Sequence, residues 1–346
     1  MVMSLSQTCV HDFHVKKGAK MVDFAGWHMP VQYTSIVSEH KLVRDRVGIF
    51  DVSHMGQLFI SGKGASSFLS YVSTWDITKL LEGECRYCHI LNEEGNIIDD
   101  TIIYVFDKEN YMLVPNASMV SKIFDWFNSQ SENFDVTIDN QSDNNYCFAV
   151  QGPEAPRLLR QYSNMSIAPF KLIKSGNTIF SGTGYTGEKG YEIMGPLSDS
   201  MEVWESFVDM GATPVGLGAR DTLRLEKGYL LSGQDFDGNQ STLESGYGWV
   251  IDWNHDFIGK DKLLIQKKKK YSLLKGILLE ERGVLRPGQP VFFDNKQISV
   301  LTSGSLSPIL RRGIGLSYLD IPVGSKVTIS VRDRHLKGRV IQTPFL

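Results

Sequence analysis

The nine residues from Gly184 to Glu192 read GYTGEKGYE and restrict the backbone more than any other stretch of the chain. Gly184, Gly187 and Gly190 recur every third residue. That spacing excludes a stable helix and suits a segment that turns twice and comes close to another group. Tyr185 and Tyr191 stand beside Glu188 and Glu192. An aromatic face next to a carboxylate fits a flat heterocycle carrying N–H donors. The same residues fit a plain β-hairpin with glycines at its turn, and both readings stand on this segment alone.

A second segment favours a site. Gly95 to Tyr104 reads GNIIDDTIIY, with Asp99 and Asp100 between Ile97, Ile98, Ile102 and Ile103. Neighbouring strand residues face opposite ways, so at least one carboxylate faces an apolar layer. A buried carboxylate is costly unless it is paired or used. The competing reading has Asp100 accepting backbone hydrogen bonds at a strand end.

At 346 residues the chain exceeds one ordinary core, and two or three domains are expected. A net charge of −3 gives no global pull toward nucleic acid or membrane. No apolar run approaches the ~20 residues of a membrane span. The N-terminal stretch lacks the apolar core of a signal peptide and the arginine pattern of a transit peptide. A cytoplasmic protein is expected, or a mitochondrial matrix one if the chain is a processed form. Four cysteines are too few for a disulfide scaffold. Cys85 and Cys88 form a CxxC, but on a strand they face opposite sides and no second pair completes a zinc site, so no metal is expected.

Helix signals punctuate the first two thirds. Thr34 and Ser35 precede Ile36, His40, Val43 and Val47, with Gly48 as the stop. Asp199 and Glu202 resemble a capping box ahead of Val203, Trp204, Phe207 and Val208, closed by Gly211. ISGKGASSFL (Ile60 to Leu69) matches VQGPEAPRLL (Val150 to Leu159) in outline. Tyr111 to Phe127 and Tyr191 to Phe207 both run from a strand into an aromatic-striped helix. Each half reads strand, helix, strands, strand, helix, strand, which suits a ferredoxin-like α+β unit used twice. From Leu273 the period changes to two, as in Val327, Ile329 and Val331, and glycine or proline recurs every ten residues or so. A small β-barrel is expected there. Residues 1–140, 141–265 and 272–346 are the predicted domains, with Lys267 to Lys270 as a solvated linker.

Gly216-Leu-Gly218 lacks the third glycine of a dinucleotide fingerprint, and no P-loop, HExxH or GxSxG is present. GLGARDTLRLEKG (Gly216 to Gly228) reads as a turn into a helix with Arg220 at its start. Arg220 either clamps a ligand carboxylate or pairs internally with Asp221 or Glu226.

With these segments the chain resembles the aminomethyltransferase, or T-protein, family of the glycine cleavage system. The resemblance is carried by MVDFAGWHMPVQY (Met21 to Tyr33), GIFDVSHMG (Gly48 to Gly56), GNIIDDTIIY, AVQGPEA, TGYTGEKGYE, GLGARDTLRLEKG and SGQDFD (Ser232 to Asp237), in collinear order. It implies two α+β folate-binding domains and a C-terminal barrel in a cloverleaf around a central folate site. The implied reaction moves the aminomethyl group of the lipoyl arm of H-protein to tetrahydrofolate, the co-substrate, giving methylenetetrahydrofolate, ammonia and dihydrolipoyl H-protein. Asp100 falls on the family's catalytic aspartate. Met55, Tyr87, Tyr104, Asn116, Tyr185, Glu192 and Arg220 fall on its folate-contacting positions. Glu192 would accept the pterin N3–H and 2-amino donors, Arg220 would meet a negative group, and Asp100 would sit by N5 and N10. An acidic H-protein would find basic residues in Lys267 to Lys270 and in Arg311 and Arg312.

Three departures stand out. Gly95-Asn96 replaces a double glycine, Ser232 replaces a tyrosine ahead of GQD so that an aromatic wall is missing, and the chain stops at Leu346. Two alternatives are a different one-carbon transferase of the superfamily and its non-catalytic iron–sulfur assembly branch. KGYLLSGQD (Lys227 to Asp235) lacks that branch's cysteine.

Overall fold

The computed structural model describes residues 4–346. A short strand, β1 (Gly48–Asp51), precedes two units with the same element order. The first runs β2 (Leu58–Ser61), helix Ala65–Val72, β3 (Cys85–Leu91), β4 (Ile97–Val105), β5 (Asn110–Leu113), helix Val120–Gln130 and β6 (Thr137–Asn140). The second runs β7 (Asn145–Gln151), helix Ala155–Ser163, β8 (Leu172–Ser175), β9 (Thr178–Ser181), β10 (Gly190–Pro196), helix Ser200–Asp209 and β11 (Thr213–Pro214). The sheet orders are β3-β4-β5-β2-β6 and β8-β9-β10-β7-β1-β11. Equivalent strands occupy equivalent places, and β1 is wedged between the last two of the second sheet. The paired glycines of the repeat have a physical reason. Gly62 and Gly152 have φ of +127° and +133°, and a Cβ on either would lie 2.3 Å from a backbone oxygen.

The placement of β1 differs from the sequence reading, which puts Gly48 to Asp51 within the unit 1–140. The strand pairs antiparallel with β7 and parallel with β11. A Cβ on Gly48 would lie 2.6 Å from Val215 and 2.8 Å from Val43, so only glycine lets the strand enter.

The sheets face each other through a shared core. Cys85, Tyr104 and Met112 from the first meet Phe50, Cys147, Ala149 and Met194 from the second. On the first sheet's outer face, Phe68, Leu69, Ile123 and Phe127 of its helices cover Cys88, Ile90 and Ile103. On the second, Leu158, Trp204 and Phe207 cover Phe148 and Ile193. The layers are helix, sheet, sheet, helix. Cys85 and Cys88 do face opposite layers.

Two helix-end expectations need correction. Ser35 caps helix Ile36–Asp45 by accepting from the Ser38 N–H at 3.2 Å, but the helix ends before Gly48, which opens β1. Asp199 makes no capping bond to the next helix. A 3-10 turn, Leu197–Asp199, leads into that helix, so Asp199 keeps helical dihedrals where a cap residue is extended.

The tail forms a seven-stranded antiparallel sheet spanning Leu273–Leu279 to Arg334–Ile341. It curls, and the Ser317 hydroxyl reaches Ser299 Oγ at 2.9 Å and the Val300 carbonyl at 2.8 Å. Val327 and Ile329 point into its core with Ile277, Val291 and Val340. It docks on the helix Leu217–Glu226, where Leu225 meets Ile314 and Leu316. The last residues pack on the same helix: the Phe345 N–H donates to the Glu226 carbonyl at 2.8 Å. Lys267 to Lys270 are all exposed, and two of them make surface contacts. Lys267 lies 4.6 Å from the Trp253 ring, and Lys270 pairs with Asp320 at 2.8 Å.

Candidate active site

The GYTGEKGYE segment takes the hairpin form that the plainer reading of its sequence expects. It is the hairpin loop between β9 and β10, and it wraps around Gln151. The Thr186 hydroxyl donates to Gln151 Oε1 at 2.8 Å, and Gln151 Nε2 donates to the Thr183 carbonyl at 3.2 Å. Side chains on Gly184 or Gly190 would collide with Gln151. The loop carries Tyr185 under the Arg220 guanidinium, 4.7 Å from its ring centre. The Tyr185 hydroxyl donates to the Leu230 carbonyl. Glu192, on β10, accepts from the Thr183 hydroxyl at 2.6 Å.

Arg220 forms no ion pair among the described residues. Asp221 is held by Arg224 at 2.8 Å, and Glu226 by Arg44 at 2.9 Å and His40 at 3.0 Å. Nη1 of Arg220 is buried without a partner. Burial lowers its proton affinity, against the opposing charge of Glu192. His54 Nδ1 is a second buried, unpartnered nitrogen, and burial lowers that imidazole to about 4.

The acids lie on the facing sheet. Cys85, Tyr87 and His89 alternate on one face of β3 and pair with Tyr104, Ile102 and Asp100 on β4. The register shifts at Ile90 and Leu91, just where the acids begin, which leaves Ile98 as an extra residue on β4. Asn116 Nδ2 donates to Asp99 Oδ1 and to Asp100 Oδ1, each at 2.8 Å. The Tyr87 hydroxyl donates to Asp100 Oδ2 at 2.8 Å. Asp100 is thus held by side chains, and it is Asp99 that accepts a backbone N–H, from Asn116 at 2.9 Å. Burial, then the charge of Asp100, lifts Asp99 to about 7 against the hydrogen bonds of Asn116 and Ser232. Burial likewise lifts Asp100, although Tyr87 and Asn116 oppose it. No Lys, Arg or His forms an ion pair with either carboxylate among the described residues.

Of the residues expected from sequence, Tyr87, Asp100, Tyr104 and Glu192 lie on strands, Met55, Asn116 and Tyr185 on loops, and Arg220 on the helix Leu217–Glu226. Asp100, Tyr87 and Asn116 are directly bonded, and Arg220 touches Tyr185. Tyr104 and Met55 join the shared core, where the charge of Glu192 raises the proton affinity of Tyr104 beyond the effect of burial. Glu192 makes no direct bond to the acid pair.

Several partners were not evident from sequence. Ser232 fills its place in a different way from a missing wall: its hydroxyl donates to Asp99 Oδ1 at 2.9 Å. Tyr247 and Trp249 flank Tyr87, with ring centres 5.9 Å away in each case, and Trp249 remains 59% exposed. Together with Leu80, Cys85 and Phe170, Tyr87 and Trp249 line an open depression of about 250 Å³. The sequence signal for this aromatic rim is the GYGW run, Gly246 to Trp249, in a region without strand or helix periodicity. No group of His, Cys, Asp and Glu among the described residues could hold a metal ion. No helix among them is long and apolar enough to cross a membrane.

Comparison with known proteins gives the family. Residues 10–255 match the GCVT N-terminal domain, and residues 274–346 match the glycine cleavage T-protein C-terminal barrel domain. An aminomethyltransferase of Halothermothrix orenii is 40% identical, covering 99% of this chain and 100% of its own. That of Francisella philomiragia is 39% identical, covering 98% of each. The crystal structure of glycine cleavage system aminomethyltransferase T from Bartonella henselae superposes with a TM-score of 0.95 at 29% identity, over 99% of this chain and 98% of that one. The chain belongs to the glycine cleavage T-protein family, the aminomethyltransferases that move a one-carbon unit to tetrahydrofolate.

Proposed function

We propose that tetrahydrofolate binds between the two sheets, with Asp100 at its reacting nitrogens. The observation that carries this reading is a buried, unpartnered guanidinium nitrogen on Arg220 together with a carboxylate, Asp100, that no cation pairs among the described residues, the charges of both reaching Tyr185. Both are costly in a folded chain unless a polar ligand completes them. Glu192 accepts the pterin's paired N–H donors, since a carboxylate is acceptor-only. Tyr185, Tyr104, Tyr87, Met55 and Asn116 supply flat walls and hydrogen bonds. Arg220 meets a negative or carbonyl group of the ligand.

The chemistry needs a proton carrier. Bridging N5 and N10 with a methylene removes one proton from each nitrogen. The departing amine takes one, and the lipoyl sulfur takes the other as its bond to carbon breaks. Asp100, raised by burial, is poised to accept the first and to favour positive charge on nitrogen. The partner is the lipoylated H-protein, which visits and leaves in each turnover. Lys268, Lys269, Arg311 and Arg312 are basic groups available to an acidic partner. The test is aminomethyl transfer from loaded H-protein with and without tetrahydrofolate. Turnover that needs both supports the reading, and folate-independent ammonia release at the full rate would overturn it.

A further inference from the structure

The two carboxylates on β4 are joined through one side chain. Asn116 donates from a single amide nitrogen to Asp99 Oδ1 and Asp100 Oδ1, at 2.8 Å to each, and its backbone N–H donates to Asp99 Oδ2 at 2.9 Å. Ser232 adds a third donor to Asp99, at 2.9 Å, while the Tyr87 hydroxyl holds Asp100 at 2.8 Å. Every one of these donors is neutral. The other titratable groups around the pair come from three elements. His89 on β3 is kept neutral, because burial pushes it down to about 3. Tyr185 on the β9–β10 loop and Tyr247 further along the chain have proton affinities raised chiefly by burial, with the Asp100 charge adding to it. Asp235 adds negative charge, and its own cation, Arg224, is bound to it at 2.8 Å. Two acids bridged by one amide and screened by no cation repel each other strongly, so they titrate as a pair and hold a proton to higher pH than either would alone.

We propose that Asp99 is a positioning residue for the transfer: pinned by Asn116 and Ser232, it fixes Asn116 against Asp100, and its charge strengthens Asp100 as the base that takes a folate proton. The inference rests on the reading of Asp100 given above. The proton taken by Asp100 is returned to the departing amine or to the sulfur, so the pair ends each turnover as it began. Asp99 forms no bond with substrate in this scheme.

The test is the acid limb of the pH dependence of kcat/KM for tetrahydrofolate, with a folate dissociation constant measured in parallel. Asp100 must be ionised to accept a proton, so activity rises with pH through this limb. Asp99→Asn removes the neighbouring charge, and the limb should move to lower pH by about one unit or more. Ser232→Ala removes a donor that favours ionised Asp99, so less of that charge faces Asp100 and the limb should move the same way by a smaller amount. Folate affinity should change less than threefold in both. A limb that stays put in both variants, or that moves to higher pH in either, overturns the inference. Should Asp99→Asn fail to fold, Ser232→Ala alone decides by the direction of its shift. Asp100→Asn separates the two layers of the argument. If it keeps wild-type turnover and the limb, the reading of Asp100 falls. If it loses the limb while Asp99→Asn leaves it unmoved, only the role of Asp99 falls.

Discussion

Two groups of buried acids in this molecule are solved in opposite ways. Where the barrel meets helix Leu217–Glu226, each acid has a cation. Asp235 holds Arg224 at 2.8 Å and also accepts from Thr302 at 2.6 Å and Ser303 at 2.7 Å. Glu226 is bound by Arg44, His40 and Ser307. Burial would push Glu226 up, but His40, Ser307 and Arg44 outweigh it and leave its affinity for protons lowered. At Asp99 and Asp100 the donors are neutral, and both acids shift upward. Carboxyl groups of the same kind thus join two parts of the fold in one place and, on the reading proposed above, handle a proton in the other. The difference is the presence of a cation.

The largest effect should come from breaking the joint. Asp235→Ala leaves the buried Arg224 with the half-exposed Asp221 as its remaining carboxylate, and chemical denaturation should show a loss of about 3 kcal/mol. The paired site and the joint should also differ in the sign of their pH dependence. Glu226 has a lowered proton affinity, so the stability it contributes is full above its ordinary range and is lost as pH falls from there through its lower folded value. Asp99 is raised to about 7, so it binds a proton more tightly folded than unfolded, and its contribution worsens as pH climbs from its ordinary value toward 7. Denaturation across pH should therefore show a slope near neutrality that Asp99→Asn flattens, and an acid slope that Glu226→Gln flattens. Equal slopes in both variants would mean that the two regions are not electrostatically distinct.

Smaller effects test the ligand side. Glu192→Gln leaves one pterin donor unmatched and should weaken folate binding by about 1–3 kcal/mol in calorimetry, with kcat changed less. Unchanged affinity would remove Glu192 from the pterin. The smallest effect should be on partner encounter. The KM for H-protein should rise with salt, since charges separated by more than ~10 Å are screened near 0.1 M, while the KM for folate changes less. A flat response, or no effect of reversing the charges at Lys268, Lys269, Arg311 and Arg312, would leave these residues as plain surface.

The repeated unit was legible in the sequence because its constraints are local. Gly62 and Gly152 need a backbone that only glycine adopts easily, and Phe127 and Phe207 mark aromatic-striped helices. The insertion of Gly48 to Asp51 into the second sheet was not legible. Its four residues are all buried, so no alternation reveals a face or a partner. Asp100 and Arg220 were visible as charge in apolar or helical context. The hydrogen bonds of Asp99 were hidden, because the bulge at Ile98 upsets alternation and Ser232 arrives from 133 positions away. Trp249 was hidden for the same reason: its neighbour Tyr87 lies on a distant strand.

The contrast between cation-matched and cation-free acids is tested most directly by Asp100→Asn, assayed for aminomethyl transfer from loaded H-protein with saturating tetrahydrofolate. Stability should stay within about 1 kcal/mol of wild type and folate should still bind, while kcat falls roughly 10²-fold or more. Near wild-type turnover in that variant, with Asp99→Asn inactive, would contradict the assignment of proton transfer to Asp100.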